Sequence, residues 1–205
     1  MVSDPCDLPF FFFHLPENIM SYCVFVAQLP TEPASLHRSY HDERYGFPVH
    51  DDNELFGRLI LEINQAGLSW STILNKEANF LRAYDKFDID TVAAYSEADR
   101  ERLLQDAGII RNRLKVNAAI HNAQVIQGLQ KEHGSFKAWL DQHHPMSKEE
   151  WVRLFRKTFK FTGGEIVGEF LMSTGYLPGA HDEDCPVHRK AMKAGAAWTR
   201  QSQSK

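Results

Sequence analysis

Residues 61–74 of this chain read LEINQAGLSWSTIL, and this stretch decides which fold we predict. The residues that lead into it place apolar side chains at helical spacing, which predicts a helix over 52–66 with one buried stripe. That stripe consists of Leu55, Phe56, Leu59, Ile60, Ile63 and Ala66. Either Asp51 or Asp52 can cap the start of this helix, and Gly67 is expected to end it.

Further helices follow along the chain, and short glycine-containing turns separate them. We predict these helices over residues 71–84, 97–107, 113–130, 148–159 and 165–174. Capping-box patterns begin two of them: Ser96 with Asp99, and Ser147 with Glu150. Gly108 is expected to end the helix that starts after the first of these boxes. Because no stretch alternates apolar and polar residues as a strand does, we predict an all-α fold.

Length and composition favour one globular domain. The chain has 205 residues, of which 43% are apolar and 24% are charged, and this suits a packed core without disulfide bonds. We predict a domain over residues 20–190 and a C-terminal tail over 191–205. Residues 1–19 are expected to be a disordered extension or sequence upstream of a true start at Met20. No apolar run is long enough to cross a bilayer, so we expect no membrane partner.

The cysteines and the N-terminus indicate the compartment. Cys6, Cys23 and Cys185 are an odd and sparse set, which argues against a disulfide framework. The N-terminal phenylalanine run is preceded by Asp4 and Asp7 rather than by basic residues, so it lacks the pattern of a secretory signal. We therefore expect a protein of the cytoplasm.

Net charge alone gives no clear indication of nucleic-acid binding. The formal charge of −4 argues mildly against it, because phosphates favour basic surfaces. Basic residues nevertheless gather at Arg111, Arg113 and Lys115. This local group is either a phosphate-binding face or an ordinary solvated helix face.

Glu62 is the first candidate for a functional residue. It falls beside the apolar stripe of the first predicted helix, where an unpaired carboxylate is costly to bury. One interpretation is an ion pair with a nearby Arg or Lys. The other is a carboxylate that faces an aromatic pocket, for which Tyr40, Tyr45 and Trp70 are candidate walls.

The second candidate is a turn between two predicted helices. Residues 103–113 read LLQDAGIIRNR, in which the helices meet at a short glycine turn, as in a helix-hairpin-helix. Such a turn presents backbone amides at a helix start, where they can hold a phosphate, and Arg111 and Arg113 can add charged contacts. A plain connection between helices is the alternative interpretation.

A metal site is the third candidate. His181 and Cys185 lie four residues apart, a spacing that allows both to bind one ion, but a tetrahedral site needs further ligands. Cys23 and His41 can complete the set. The rivals for those places are His188, His37 and Cys6. Histidines that bind no metal at all are the remaining alternative.

Several segments together resemble one known family, the bacterial DNA-3-methyladenine glycosylase I family of the helix-hairpin-helix superfamily. They are residues 40–48 (YHDERYGFP), 61–74, 106–113 (DAGIIRNR), 159–163 (FKFTG) and 181–185. The string QAGLSW at 65–70 is the most specific of them. The resemblance spans residues 20–188, which is most of the chain.

The resemblance implies an all-α glycosylase bundle of the helix-hairpin-helix type, whose N- and C-terminal regions are tethered by one structural Zn²⁺ ion. The implied zinc ligands are Cys23, His41, His181 and Cys185. Glu62 matches the catalytic carboxylate that recognises the base, and Trp70 matches the aromatic residue that stacks on it. Tyr40 matches another wall of the base pocket, and Tyr45 stands where the family usually has Trp.

The resemblance also implies the residues that contact DNA. Leu68 matches the residue expected near the space that a flipped nucleotide leaves. The hairpin residues implied to hold the DNA backbone are Gly108, Ile110, Arg111 and Arg113. The implied partner is double-stranded alkylated DNA, bound by a monomer.

The implied reaction is hydrolysis of the N-glycosidic bond of 3-methyladenine, as in base-excision repair. Because this base is cationic, it leaves with little help from an acid. In residues 163–173 the only acids are Glu165 and Glu169, and neither matches the catalytic Asp of related glycosylases. Two other classes stay open: a nucleic-acid-binding relative with weakened or lost catalysis, and a small-molecule zinc enzyme with an open metal at His41 and Cys185.

Overall fold

The computed structural model describes residues 20–31 and 35–203, with side chains up to residue 200. All regular structure in these residues is helical, so the predicted all-α fold is confirmed. In chain order the helices are α1 (Tyr22–Ala27), α2 (Leu36–Glu43), α3 (Asp52–Gln65), α4 (Trp70–Ala83), α5 (Ile89–Ala93), α6 (Glu97–Gln105), α7 (Arg113–His133), α8 (Phe136–His143), α9 (Lys148–Thr158), α10 (Gly164–Ser173) and α11 (Pro186–Lys193), with 3-10 turns at Asp85–Phe87 and Ala197–Gln203. The predicted extension over 1–19, including Cys6, lies outside the described residues.

Helix α3 lies at the centre of the fold. It packs against α4, α7, α8 and α10, and every residue from Leu55 to Asn64 is buried. Two of these buried residues, Arg58 and Glu62, are charged. Charged side chains are almost never fully buried unless they are paired or functional, so the central helix places a polar site inside the core.

The predicted helix boundaries near this site are confirmed. The Asp51 carboxylate accepts the amide of Glu54 at 2.8 Å and caps α3. Both predicted capping boxes are present, at the starts of α6 and α9. Gly67 follows α3 with a φ of +82°, in the left-handed region that glycine adopts without strain.

Gly108 does not end α6 in the way that we predicted. The helix ends at Gln105 because Asp106 is extended, and the Oδ1 atom of Asp106 accepts the Gly108 amide at 2.7 Å. The backbone at Gly108 is not in the left-handed region. A Cβ atom there would lie 2.9 Å from that oxygen and 3.1 Å from the Cβ of Asn79, so the glycine permits close packing against α4.

The C-terminal region is packed more extensively than we predicted. The predicted boundary at residue 190 falls inside α11, and Ala191 and Ala196 beyond it are buried. The Trp198 amide donates to the Gly175 carbonyl at 3.1 Å. Because these small side chains let the backbone approach the core closely, the packed structure continues to residue 198 rather than ending in a tail.

None of the helices in the described ranges has the length and apolar character that crossing a bilayer requires.

Candidate functional site

Glu62 is buried on α3 without an ion-pair partner. Its side chain is 5% exposed, and its carboxylate forms no hydrogen bond or salt bridge with any described residue. Arg58, one turn earlier, instead donates to Glu54 at 3.2 Å. Burial first, and then the nearby Glu169 carboxylate, raise the pKa of Glu62 to about 8, while Arg58 opposes them. The interpretation of Glu62 as half of a structural ion pair is therefore wrong.

The aromatic residues predicted as pocket walls lie together near Glu62. The ring of Tyr40 is 5.1 Å from that of Trp70 and 5.6 Å from that of Tyr45, centre to centre. The Glu62 carboxylate lies close enough to raise the pKa of both tyrosines, although burial is the larger cause. We call Tyr40, Tyr45, Glu62 and Trp70 the aromatic–acid cluster; Tyr40 neighbours both the carboxylate and the indole.

Several buried polar atoms at this cluster have no hydrogen-bond partner among the described residues. They are Tyr40 Oη, Trp70 Nε1, and Nε and Nη1 of Arg58. Buried polar atoms are normally hydrogen-bonded, because leaving one unpaired costs about 1–3 kcal/mol. Their concentration beside an unpaired carboxylate indicates a site that is arranged to bind a polar ligand.

Arg58 and Arg44 are site residues that the sequence analysis missed. The Arg58 guanidinium carbon lies 5.4 Å from the centre of the Tyr40 ring, and that of Arg44 lies 5.5 Å from it. Arg44 is fixed by a bidentate salt bridge with Glu77, in which its Nη1 and Nη2 atoms donate to the two carboxylate oxygens at 2.9 and 2.6 Å. The signal for Arg58 was available, because it precedes Glu62 by four residues and therefore shares its helix face.

The four residues predicted as metal ligands come together in the structure. The potential ligand atoms of Cys23, His41, His181 and Cys185 all lie within 4.8 Å of one another. His41 Nε2 lies 3.2 Å from Cys23 Sγ, 3.2 Å from His181 Nδ1 and 3.9 Å from Cys185 Sγ. We call these residues the Cys/His cluster. They can hold one metal ion.

The second ring nitrogens of both histidines are already engaged. His41 Nδ1 donates to the Asp42 carboxylate at 2.7 Å, and His181 Nε2 donates to the Tyr45 carbonyl at 2.7 Å. Metal-bound histidines use such outer bonds to fix the tautomer and the ring orientation. These bonds turn the lone pairs of His41 Nε2 and His181 Nδ1 towards the cluster, so the donor set fits a tetrahedral ion with nitrogen and sulfur ligands.

The predicted rival ligands lie elsewhere. His37 Nε2 is bonded to Ser71 Oγ at 2.8 Å, and the His188 ring packs on Trp198. Because the Cys/His cluster already supplies four protein ligands, it leaves no open position of the kind that catalytic zinc needs, which argues against the small-molecule zinc enzyme. The cluster is instead coupled to the aromatic–acid cluster, since His41 follows Tyr40 and His181 holds the Tyr45 backbone.

The turn between α6 and α7 leaves two backbone amides unpaired among the described residues. Lys76 on α4 donates to the carbonyls of Ala107 and Gly108 at 3.0 and 3.1 Å, and these two bonds fix the backbone of the turn. Among the described residues, the amides of Ile110 and Arg111 have no acceptor. These two amides thus remain available for an anion.

The predicted basic residues of this turn do not all face outward. Arg111 is exposed, and the Arg113 side chain is 63% exposed, 3.6 Å from Glu97. Lys115 instead points inward and donates to the carbonyls of Asn64 and Ala66, at 3.0 and 2.7 Å. Burial lowers its pKa to about 8. Lys115 therefore holds the end of α3 rather than adding to a phosphate-binding face, because those carbonyls lack helix partners.

Leu68 lies in the turn that joins α3 to α4. This apolar side chain is 37% exposed, and its backbone is held at both ends by Gln65, through bonds of 2.7 and 3.0 Å. Trp70 begins the following helix. A solvent-exposed leucine on a fixed turn, two residues before a cluster indole, suits insertion into a base stack.

The turn between α9 and α10 is a second hairpin that we did not single out as a site. Asn122 on α7 holds it through two bonds to the Lys160 backbone, at 2.8 and 3.1 Å. Phe161 has a φ of +59°, and Gly163 precedes α10 without a side-chain cap. The FKFTG string and the Gly163-Gly164 pair were the available signal, because a glycine at a helix start leaves amides free.

Comparisons with known proteins agree with this geometry. Residues 31–152 match the family model described as methyladenine glycosylase. The chain is 34% identical over 177 residues to DNA-3-methyladenine glycosylase 1 of Escherichia coli strain K12, a match that covers 77% of this chain and 92% of that protein. It is 31% identical over 171 residues to DNA-3-methyladenine glycosylase of Haemophilus influenzae, covering 74% of this chain and 92% of the relative.

A solved structure is similar across most of the fold. It is 3-methyladenine DNA glycosylase I from Staphylococcus aureus, described as giving the structural basis of 3-methyladenine recognition. The two chains are 29% identical with a TM-score of 0.69, and the match covers 83% of this chain and 97% of that one.

Proposed function

This chain belongs to the methyladenine glycosylase family, and on that premise we propose that it hydrolyses the N-glycosidic bond of 3-methyladenine in alkylated double-stranded DNA, as a base-excision repair glycosylase. The observation that carries the proposal is the unpaired Glu62 carboxylate, buried near Tyr40, whose ring packs 5.1 Å from that of Trp70. The amino edge of an adenine can donate to this carboxylate. The positive charge of the alkylated ring compensates for the cost of burying it.

Recognition and chemistry follow from the charge of the lesion. We propose that Trp70 stacks on the flipped base and that Glu62 is the catalytic carboxylate, which binds the base edge and stabilises the positive charge as it passes from the base to the sugar. Departure neutralises the base, so no strong acid is required and water can attack the sugar. Normal adenine is neutral and gains less from the carboxylate, which gives the site its discrimination.

The first test of the function is base release. The purified chain is incubated with methylated DNA, and the released bases are separated and identified. We expect free 3-methyladenine. A chain that binds this DNA but releases no base would instead be the non-catalytic relative with the same fold.

Truncating Trp70 is expected to lower activity strongly. Stacking of a base on an aromatic side chain is worth about 1–3 kcal/mol, so Trp70→Ala should reduce kcat/KM by about 10–100-fold. Trp70→Phe keeps an aromatic face and should lose less. The matched control is Trp198→Ala, because that indole packs on His188 outside the cluster. Equal losses in Trp70→Ala and the control would count against a stacking role.

DNA binding is assigned to the hairpin between α6 and α7. We propose that the free amides of Ile110 and Arg111 hold a phosphate at the turn that Gly108 shapes. Arg111 and Arg113 add charged contacts, while Leu68 enters the space of the flipped nucleotide. Lys76 fixes the backbone of this turn through its bonds to the carbonyls of Ala107 and Gly108, which supports this assignment.

Removing either hairpin arginine is expected to weaken DNA binding in a salt-dependent way. For Arg111→Ala and Arg113→Ala, the slope of log K against log salt should become shallower by about one for each phosphate that the variant no longer neutralises. Fluorescence anisotropy of a labelled duplex at several salt concentrations measures this slope. Lys131→Ala, exposed at the far end of α7, is the control. Salt slopes equal to that of the unmodified chain would show that these two arginines do not contact the DNA phosphates.

We also propose that the Cys/His cluster binds one structural Zn²⁺ ion. Two sulfurs and two nitrogens are the ligand types that structural zinc prefers, and both histidines have the outer bonds expected of ligands. Burial raises the pKa of the Cys23 thiol to about 12, and a bound cation reverses this effect by stabilising the thiolate. The ion would tether α1 and α2 to residues 181–185.

A further inference from the structure

Lys115 is a buried lysine for which the proposed reaction gives no role. It lies in the first turn of α7, two residues after the exposed Arg113, yet it is only 5% exposed. Burial lowers its pKa to about 8, and no neighbouring carboxylate offsets this effect. Lysines are almost never buried unless they are paired, so its contacts must account for its position.

The bonds of Lys115 go to the turn that carries Leu68. Its Nζ atom lies 3.0 Å from the Asn64 carbonyl oxygen and 2.7 Å from that of Ala66. Both carbonyls are at the end of α3, where helix carbonyls lack partners and a positive charge is favourable. Gln65, between them, bonds to the Leu68 backbone through its own carbonyl and its side chain. The position of Leu68 therefore depends on backbone that Lys115 holds.

The start of Lys115's own helix belongs to the hairpin between α6 and α7. The Oδ1 atom of Asn112 caps α7 and accepts the Lys115 amide at 3.2 Å. The free amides of Ile110 and Arg111 lie directly before this cap. Lys115 thus bonds through its backbone to the hairpin and through its side chain to the end of α3.

The turn between α9 and α10 also contacts this lysine. Its Nζ atom lies over the Phe161 ring, 5.8 Å from the ring centre, where the electron-rich face attracts an ammonium group. Asn122, seven residues further along α7, holds the same turn through the Lys160 backbone. The ring therefore helps to keep the ammonium group at the α3 carbonyls.

Flipping a nucleotide requires two protein contacts at a fixed spacing. One holds a backbone phosphate, and the other fills the space that the nucleotide leaves. If the two segments moved independently, ordering them would consume part of the binding free energy. Bonds that fix their spacing before DNA binds remove that cost.

We propose that Lys115 is a positioning residue for nucleotide flipping, which fixes the Leu68 turn relative to the hairpin that holds the phosphate. This inference rests on the proposed function, because it needs the chain to bind and distort DNA. Lys115 itself contacts neither DNA nor the base and acts through Leu68. Its loss should therefore impair DNA distortion and leave binding of the free base intact.

The test uses a duplex in which a tetrahydrofuran abasic-site analogue lies next to 2-aminopurine. This DNA has no base to excise at the analogue, and 2-aminopurine fluorescence rises when an inserted side chain unstacks it. Lys115→Met keeps an apolar stem and removes the donors. We expect about tenfold weaker binding of this duplex and loss of most of the fluorescence increase, the size of effect that coupled neighbours show. The affinity for free 3-methyladenine should stay within about twofold.

Combination with Leu68→Ala distinguishes positioning from a general structural role. If Lys115 acts through Leu68, the double variant should bind the duplex within about twofold of Leu68→Ala alone. Lys115→Arg keeps the charge and the donors and should recover most of the fluorescence increase. Ile126→Val, buried further along α7, is the control for a small loss of stability and should change neither quantity.

The outcomes separate this inference from the proposed function. The proposed function fails if the unmodified chain releases no 3-methyladenine from methylated DNA. The role of Lys115 is overturned if Lys115→Met keeps the fluorescence increase, if its loss adds fully to that of Leu68→Ala, or if free-base affinity falls equally. Should Lys115→Met not fold, Lys115→Gln gives the same comparison, because its amide can donate to one carbonyl but lacks the ammonium group that joins both.

Discussion

Replacing Glu62 by Gln is expected to lower kcat/KM for 3-methyladenine release by about 10²–10³-fold, the loss typical of removing one group that stabilises transition-state charge. Glutamine keeps the shape of the side chain and one acceptor oxygen, but it lacks the negative charge that stabilises the positive charge as it passes from the base to the sugar. Single-turnover rates on a duplex with one lesion measure this effect without interference from product release.

The same substitution is expected to raise stability. Because the pKa of Glu62 is raised to about 8, ionising it at neutral pH costs more in the folded chain than in the unfolded one, so the carboxylate opposes folding. Gln removes this cost, and the Tm at pH 8 should increase by about 2–6 °C. The gain should shrink as pH falls and vanish below the ordinary carboxyl pKa of 4.5.

These two effects together exclude a purely structural role. Removing half of an ion pair would lower the Tm, and it would lower activity only through misfolding. Glu101→Gln, exposed on α6, is the control for removing one acidic charge. A Glu62→Gln chain with normal activity, or with a Tm below that of the unmodified chain at pH 8, would contradict the assignment.

Loss of the metal is the second large effect that we expect. Structural zinc is worth several kcal/mol of folding free energy, so Cys185→Ser or a strong chelator should lower the Tm by about 10 °C or more. Activity should fall as well, because His41 and His181 hold the segment that carries Tyr40 and Tyr45.

Elemental analysis of the purified chain should find about one equivalent of zinc per chain, and almost none in Cys185→Ser. His188→Gln, three residues from Cys185 but packed on Trp198, is the control and should keep its metal. Metal affinity should weaken in acid, since protons compete for the thiolates. The zinc proposal would be ruled out if the purified chain contained no metal and its Tm were the same with and without the chelator.

Local sequence signals predicted the parts of the fold that depend on near neighbours. The caps at Asp51 and Ser147 and the stop at Gly67 follow from backbone groups within a few residues, and the structure has them. The sequence segments that resemble the family also predicted the candidate metal ligands and pocket residues together. The structure brings that set together as two clusters.

What the sequence did not indicate depends on contacts between distant segments. Lys115 follows two outward arginines and reads as part of one basic group, yet the unpaired carbonyls at the end of α3 draw it inward. Glu169 lies 124 residues from Tyr45, whose hydroxyl donates to it at 3.2 Å, and no periodic pattern marks this contact. Only the packing of α10 on α3 brings this carboxylate to the aromatic–acid cluster.

The most direct measurement is a crystal structure of this chain with 3-methyladenine bound. We expect the purine ring to stack on the Trp70 indole, near Tyr40, with its amino edge within hydrogen-bond distance of a Glu62 oxygen. A base bound away from these side chains, or a region between them that is closed by packed aliphatic groups, would contradict the proposed glycosylase site.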